Sequence, residues 1–226
     1  MTADCGRCYF VDGLETAFLH SWVAAITMND GIDNGADDHL PVSLVIVDRS
    51  IVNRTTADPS SLGLAVTKVG RILRSAPWGT RRDGGSPDLL LLLVSAGAGR
   101  VEIDGAGEMA LAAGSMLVIP PGVGHAYQFE AGHASEVLVV QIVGPGTDAL
   151  VTSLRNLGIV PRSQLTSQLA VKLWITSAID TLGLCRTQDT VLAVSRSIGM
   201  LYAAVRSHAH PCRSVSAPWR SRAESS

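Results

Sequence analysis

The sequence predicts a mainly β chain with α-helices at its C-terminal end: a sandwich or small barrel followed by two or three helices. Three observations carry this. Short apolar runs separated by glycine turns recur between residues 89 and 143 at the roughly 8 to 12 residue spacing of sandwiches and small barrels. The stretch GSMLVIPPGVGH at 114–125 reads as a strand, a rigid turn and a histidine opening the next strand. After Gly144-Pro145-Gly146 the apolar period changes from about two to about 3.6.

Residues 1–40 are the least defined segment. Leu14, Phe18, Trp22 and Ala25 have helical spacing within 10–28, and the acidic run NDGIDNGADDH reads as a solvated loop, because its oxygen ligands lack calcium-loop spacing and no closing glutamate follows. A barrel region is predicted over 41–144. PVSLVIV at 41–47 is a strand, and the apolar stretch 62–73 flanks or begins the barrel.

Residues 89–95 form a continuous apolar run and Gly97-Ala98-Gly99 a turn. Val101 and Ile103 then alternate with polar neighbours before the chain turns again at 105–107. Residues 108–112 make a short strand. Met116 to Ile119 follow as a β-prone apolar run; Pro120 and Pro121 cannot continue a sheet ladder, and Gly122 and Gly124 allow the sharp turn that delivers His125. Residues 125–129 and 136–143 complete about six strands.

A helical region is predicted over 145–206. Thr147 is the expected N-cap of a first helix with Leu150, Val151, Leu154 and Leu157 on one side, ended by Gly158. A second helix is predicted over 164–182, with Leu165, Leu169, Leu173, Ile175, Ile179 and Leu182 apolar. A third starts near Thr187, where Val191, Val194, Ile198, Leu201 and Val205 form two heptads, suited either to a coiled coil or to packing inside the chain. Residues 207–226, with Pro211, Pro218 and many serines, predict a disordered tail.

A hydrophobic content of 46% over 226 residues supports a sizeable core, and the net charge of -2 argues against a nucleic-acid-binding surface spread over the molecule. No basic start precedes an uninterrupted apolar stretch at the N-terminus, and the leucine run at 89–93 is too short for a bilayer, so a cytoplasmic protein without membrane partners is expected. Cys5 and Cys8 form the one close cysteine pair. Only His208, His210 and Cys212 could complete a zinc site with them, and free thiols are the simpler reading.

The 114–125 pattern resembles the second conserved motif of the cupin superfamily, which implies a cupin-like double-stranded β-barrel followed by the helices. Metal-bearing cupins take further ligands from a first motif rich in histidine, and the corresponding LLLLLVSAGAGRVEIDG contains none. No metal and no cofactor are therefore expected. Residues 81–158 resemble, more specifically, the sensor half of AraC-type transcription regulators. The resemblance is carried by Arg82, LLLLLVSAGAG, GSMLVIPPG, His125-Ala126-Tyr127 and the ending Gln141-Ile142-Val143-Gly144. It implies a barrel that binds a small effector and helices that dimerise, with Arg82 a contact to a polar or anionic group and Tyr127 a pocket wall with a hydroxyl.

His125 has two readings, a ligand contact or a structural residue bonded to a neighbouring carbonyl. Arg82 likewise could be an ordinary loop residue beside Arg81 and Asp83. Strand alternation puts His125, Tyr127 and Phe129 on one face, which makes Arg82, His125, Tyr127 and Phe129 the candidate ligand-binding set, with no catalytic or metal-binding residues assigned. Val137, Val139 and Val140 stand where the family has aromatic residues, which implies a smaller or more aliphatic effector. The family's two helix-turn-helix units do not fit the twenty-one residues after Val205.

The expected function is thus effector sensing and dimerisation in transcription regulation, as a homodimer or paired with a full-length regulator, without direct sequence-specific DNA binding by this chain alone. Two alternatives stand beside it. One is a metal-independent cupin enzyme of isomerase or epimerase type using His125 and Tyr127 as acid and base; the other is a module that only dimerises.

Overall fold

The computed structural model describes residues 42–130 and 134–211. Two antiparallel sheets lie face to face, with helices on the far side of the larger one. In chain order the elements are β1 (Val42–Ile46), α1 (Arg49–Ala57), a 3-10 turn (Pro59–Ser61), β2 (Ala65–Arg74), β3 (Trp78–Arg82), β4 (Leu89–Ala96), β5 (Ala98–Ile103), β6 (Gly107–Ala112), β7 (Ser115–Ile119), β8 (His125–Phe129) and β9 (Ser135–Val143). Then follow α2 (Thr147–Asn156), β10 (Arg162–Leu165), α3 (Leu169–Leu184), α4 (Gln188–Arg196), α5 (Ile198–His208) and β11 (Ala209–Pro211). The larger sheet has the order β1-β2-β9-β4-β7-β10-β11 and the smaller β3-β8-β5-β6.

Continuous apolar strands have a physical cause here. Along β4, Leu90, Leu92 and Val94 join the core between the two sheets, while Leu89, Leu91 and Leu93 join the core beneath the helices. β9 divides in the same way, Val137 and Val139 facing the smaller sheet and Leu138, Val140 and Ile142 the helices. A strand covered on both faces gains from apolar side chains at every position, so its sequence loses the period-two pattern. The smaller sheet is covered on one face and keeps that pattern, as in β5 where Gly99, Val101 and Ile103 are buried and Ala98, Arg100 and Glu102 exposed.

The mainly antiparallel β architecture with C-terminal helices agrees with the fold class read from the sequence, and several details differ. The six strands read between 89 and 143 are β4 to β9, whereas β3, β10 and β11 are further strands that the sequence reading did not include. β3 is hard to read because Trp78 and Thr80 are its only buried residues and Gly79 and the two arginines dilute its alternation. α1 was also unread; Asp48 caps it by accepting from the Ser50 amide, and Val52 and Thr55 are its buried residues. Residues 164–168 are not helical, since β10 pairs with β7 and β11 and the helix begins at Leu169.

The predicted third helix is broken in two at Ser197, making four helices after β9. The Trp174 indole donates to the Ser197 carbonyl and hydroxyl oxygens (3.0 and 2.9 Å), fixing the break. The helix expected to start near Thr187 does so, with Thr187 as its N-cap, whereas Gly146, not Thr147, occupies the N-cap of α2. All five residues of the heptad seam are buried in the chain's own core, which decides for packing inside the chain over a coiled coil. Ala209–Pro211 belongs to the sheet rather than to a tail. The helix read within 10–28, Cys5 and Cys8, and residues 212–226 lie outside the described residues.

Candidate functional site

The turn before β8 forms as its residue types require. Gly122 has φ +74°, and a Cβ on Gly124 would collide with the Asp104 carboxylate and the Asp83 carbonyl, so only glycine lets these segments close on one another. His125 therefore enters β8 between β3 and β5, opposite Arg82 on one side and Ile103 on the other.

Pleating then aligns the inner face. Thr80 lies opposite Tyr127, and Trp78 opposite Phe129. Arg82, His125, Tyr127 and Phe129 thus share the face of the smaller sheet that looks toward the larger, and Arg82 is a strand residue rather than a loop residue. Phe129 is fully buried, stacked on Trp78 with centroids 4.8 Å apart and planes 15° from parallel. The Trp78 indole donates to Ser135 Oγ at 2.7 Å, which satisfies its one polar group. Tyr127 is half-buried and meets Trp78 edge-on at 5.9 Å. Sequence reasoning missed Trp78 and Thr80; the alternation of β-prone residues in WGT was the available signal.

His125 is 5% exposed, and its Nδ1 lies 3.0 Å from the Val123 carbonyl oxygen. A carbonyl only accepts, so Nδ1 carries the proton and Nε2 of the neutral ring is an acceptor. That Nε2 is buried and has no hydrogen-bond partner. Burial pushes the imidazole below its ordinary 6.5; the Val123 bond opposes this, the Arg82 charge adds to it, and the Asp104 charge opposes it. The neutral ring is the stable form at neutral pH. The structural reading of His125 thus has its carbonyl bond, while the other ring nitrogen still has an unused acceptor.

The opposite face of the same sheet is different in kind. Arg81, Arg100, Glu102, Glu108 and Gln128 line an open groove of about 530 Å³, whose lining also includes Trp78, Thr80 and Tyr127. Arg81 pairs with Glu102 (3.1 Å) and Asp83 (3.0 Å), and Arg100 bonds Gln128 (3.0 Å), so these charges are internally matched. Arg81 and Arg82, adjacent in sequence, serve opposite faces.

A second polar cluster lies between the larger sheet and α3. Glu136 on β9 is 6% exposed; its Oε2 accepts from Ser95 Oγ on β4 (2.5 Å) and Lys172 Nζ on α3 (2.6 Å), and Lys172 also donates to Ser95 (2.8 Å). Arg71 Nε on β2 stands 2.6 Å from Oε1, a charge contact not aligned as a hydrogen bond. Burial raises the carboxyl's pKa, but the bonds from Lys172 and Ser95 and the charges of Lys172 and Arg71 outweigh it and hold the group below its ordinary 4.5. The sequence signal was a single charged residue near the start of a mostly apolar strand.

A family model for the AraC-like ligand binding domain matches residues 69–209, from β2 to the start of β11. The chain belongs to that family. No curated protein matches it. Similar solved structures include the AraC-like transcriptional activator CuxR (15% identity, TM-score 0.45, covering 67% of this chain and 55% of that one) and the Schizosaccharomyces pombe Cnp3 cupin domain (10%, 0.34, 55% and 76%). YhaK from Escherichia coli is also similar (14%, 0.33), with 38% of this chain covering 40% of that one.

Among the described residues no three His, Cys, Asp or Glu side chains converge, and the inner-face neighbours of His125 are Arg82 and Tyr127. Among the described residues, too, no helix is long and apolar enough to cross a membrane.

Proposed function

We propose that this AraC-like ligand-binding domain senses a small polar effector between its two sheets and reports occupancy through its helices as a dimer, in transcription regulation. The carrying observation is that β3 and β8 direct Arg82, His125 and Tyr127 inward from neighbouring strand positions. Arg82 would attract an anionic or strongly polar group, Tyr127 would wall the pocket, and His125 Nε2 would accept a hydrogen bond from an effector hydroxyl or amide. Phe129, stacked on Trp78, would hold the floor beneath Tyr127.

The dimer is inferred from α3. Its inner side buries Val171, Ile175, Ala178, Ile179 and Leu182, yet Leu169, Leu173 and Leu184 are 64%, 60% and 84% exposed. At 100° per residue those three leucines fall on one stripe opposite the buried side. Three exposed leucines in line fit a second copy of this chain, or the same surface of a full-length relative.

A thermal-shift screen against sugars, small acids and hydrophobic metabolites tests the sensing function. A stabilising compound whose effect disappears in Arg82→Ala and Tyr127→Ala supports it; a panel that never shifts the wild-type midpoint contradicts it. The unpartnered Nε2 of His125 also favours a second reading, metal-independent proton transfer with Tyr127 as the partner acid or base. A turnover lost in Tyr127→Phe while binding persists would decide for that enzyme.

A further inference from the structure

We propose that Glu136 and Lys172 form a latch through which the packing of the barrel interior sets the seating of α3. This rests on the sensing reading only for its biological use.

Three features carry the proposal. First, β9 is a shared wall: Val137, next to Glu136, is fully buried between the sheets, while the Glu136 side chain is engaged on the helix side. A strand whose neighbouring side chains serve two cores moves both when it shifts. Second, the β4–β9 register slips between Val94 and Ala96, where the partners are Val137 and Glu136. Ser95 is the extra residue of that irregularity, and its hydroxyl is bonded to Glu136 and Lys172. Bulges re-aim side chains in this manner.

Third, the two kinds of contact holding α3 differ in directionality. Val171, Ile175 and Ile179 provide a greasy seat that tolerates sliding, whereas a buried carboxylate bonded at 2.5 and 2.6 Å requires its partners in place. Lys172 precedes the exposed Leu173, so the latch also fixes where the outward leucines stand. Glu136 and Lys172 are positioning residues in this account. A ligand pressing on Val137 or Val139 would shift β9, load the latch and alter α3.

Hydrogen exchange of the whole chain, without effector, tests this. Lys172→Met is expected to speed exchange of the 169–184 segment about tenfold and leave β4 to β7 unchanged, with Lys172→Arg restoring part of the protection. An unaltered segment, or equal acceleration everywhere, overturns the latch. The coupling is read by adding Val137→Ala, or Val139→Ala should that variant fold poorly. The interior change should speed α3 exchange in the native background and not in Lys172→Met; the same factor in both, or none in either, overturns the coupling. A barrel that binds no compound sinks the sensing function and leaves this result standing.

Discussion

Arg82 and His125 are direct cross-strand partners on β3 and β8, so a permanent cation sits beside an imidazole that burial keeps neutral. Protonating His125 would place two positive charges side by side on one inner face.

Stability should therefore respond to pH below neutrality. The folded pKa of His125 lies below its ordinary 6.5, so the folded state binds fewer protons than the unfolded chain. The associated stability is complete above about 6.5 and declines as pH falls from there toward the folded value. Arg82 and Asp104 are the charges that act on the ring, in opposite directions. Melting midpoints measured from pH 8 to pH 5 should show the decline in wild type and a flatter profile in His125→Gln.

Glu136 contributes a second, more acidic transition. Its folded pKa is held below 4.5, so its stabilisation is present above 4.5 and is lost as pH falls through the folded value. At neutral pH, Glu136→Ala leaves Lys172 and Arg71 facing each other without their carboxylate and should cost about 2 kcal/mol, discounted because both cations are partly exposed. Urea denaturation checks this, and Glu136→Ala combined with Lys172→Met should cost less than the sum of the two single changes.

The aromatic floor is a matter of packing. Phe129→Ala removes a fully buried ring stacked on Trp78 and should cost about 3–5 kcal/mol in the same denaturation measurement. Tyr127→Phe, at a half-buried position, should cost under about 1.5 kcal/mol.

Leu169→Ser and Leu173→Ser remove exposed apolar groups, so stability should change by no more than about 0.5 kcal/mol. Self-association measured by sedimentation should weaken. A wild-type chain that remains monomeric at high concentration would contradict the dimer.

The sequence was most informative where one cause fixed the pattern. The proline and glycine turn before His125 and the alternation in β5 come from backbone restriction and one-sided burial, and both were legible. β3 was not, because Gly79 and the two arginines dilute its alternation. In α3, Leu169 and Leu173 count as apolar in any periodicity, yet they lie outside the core, since composition does not say which of two apolar sides of a helix is covered. The Glu136 latch joins residues from four separate elements, and spacing along the chain carries no sign of that meeting.

The most direct test of the sensing account compares two neighbouring arginines. Any compound that raises the wild-type melting midpoint should be titrated by calorimetry against Arg81→Ala, which alters the outer groove, and Arg82→Ala, which alters the inner face. The account predicts unchanged affinity in Arg81→Ala and a loss of at least about tenfold in Arg82→Ala. Affinity lost in Arg81→Ala and kept in Arg82→Ala would move the site to the outer groove and contradict sensing between the sheets.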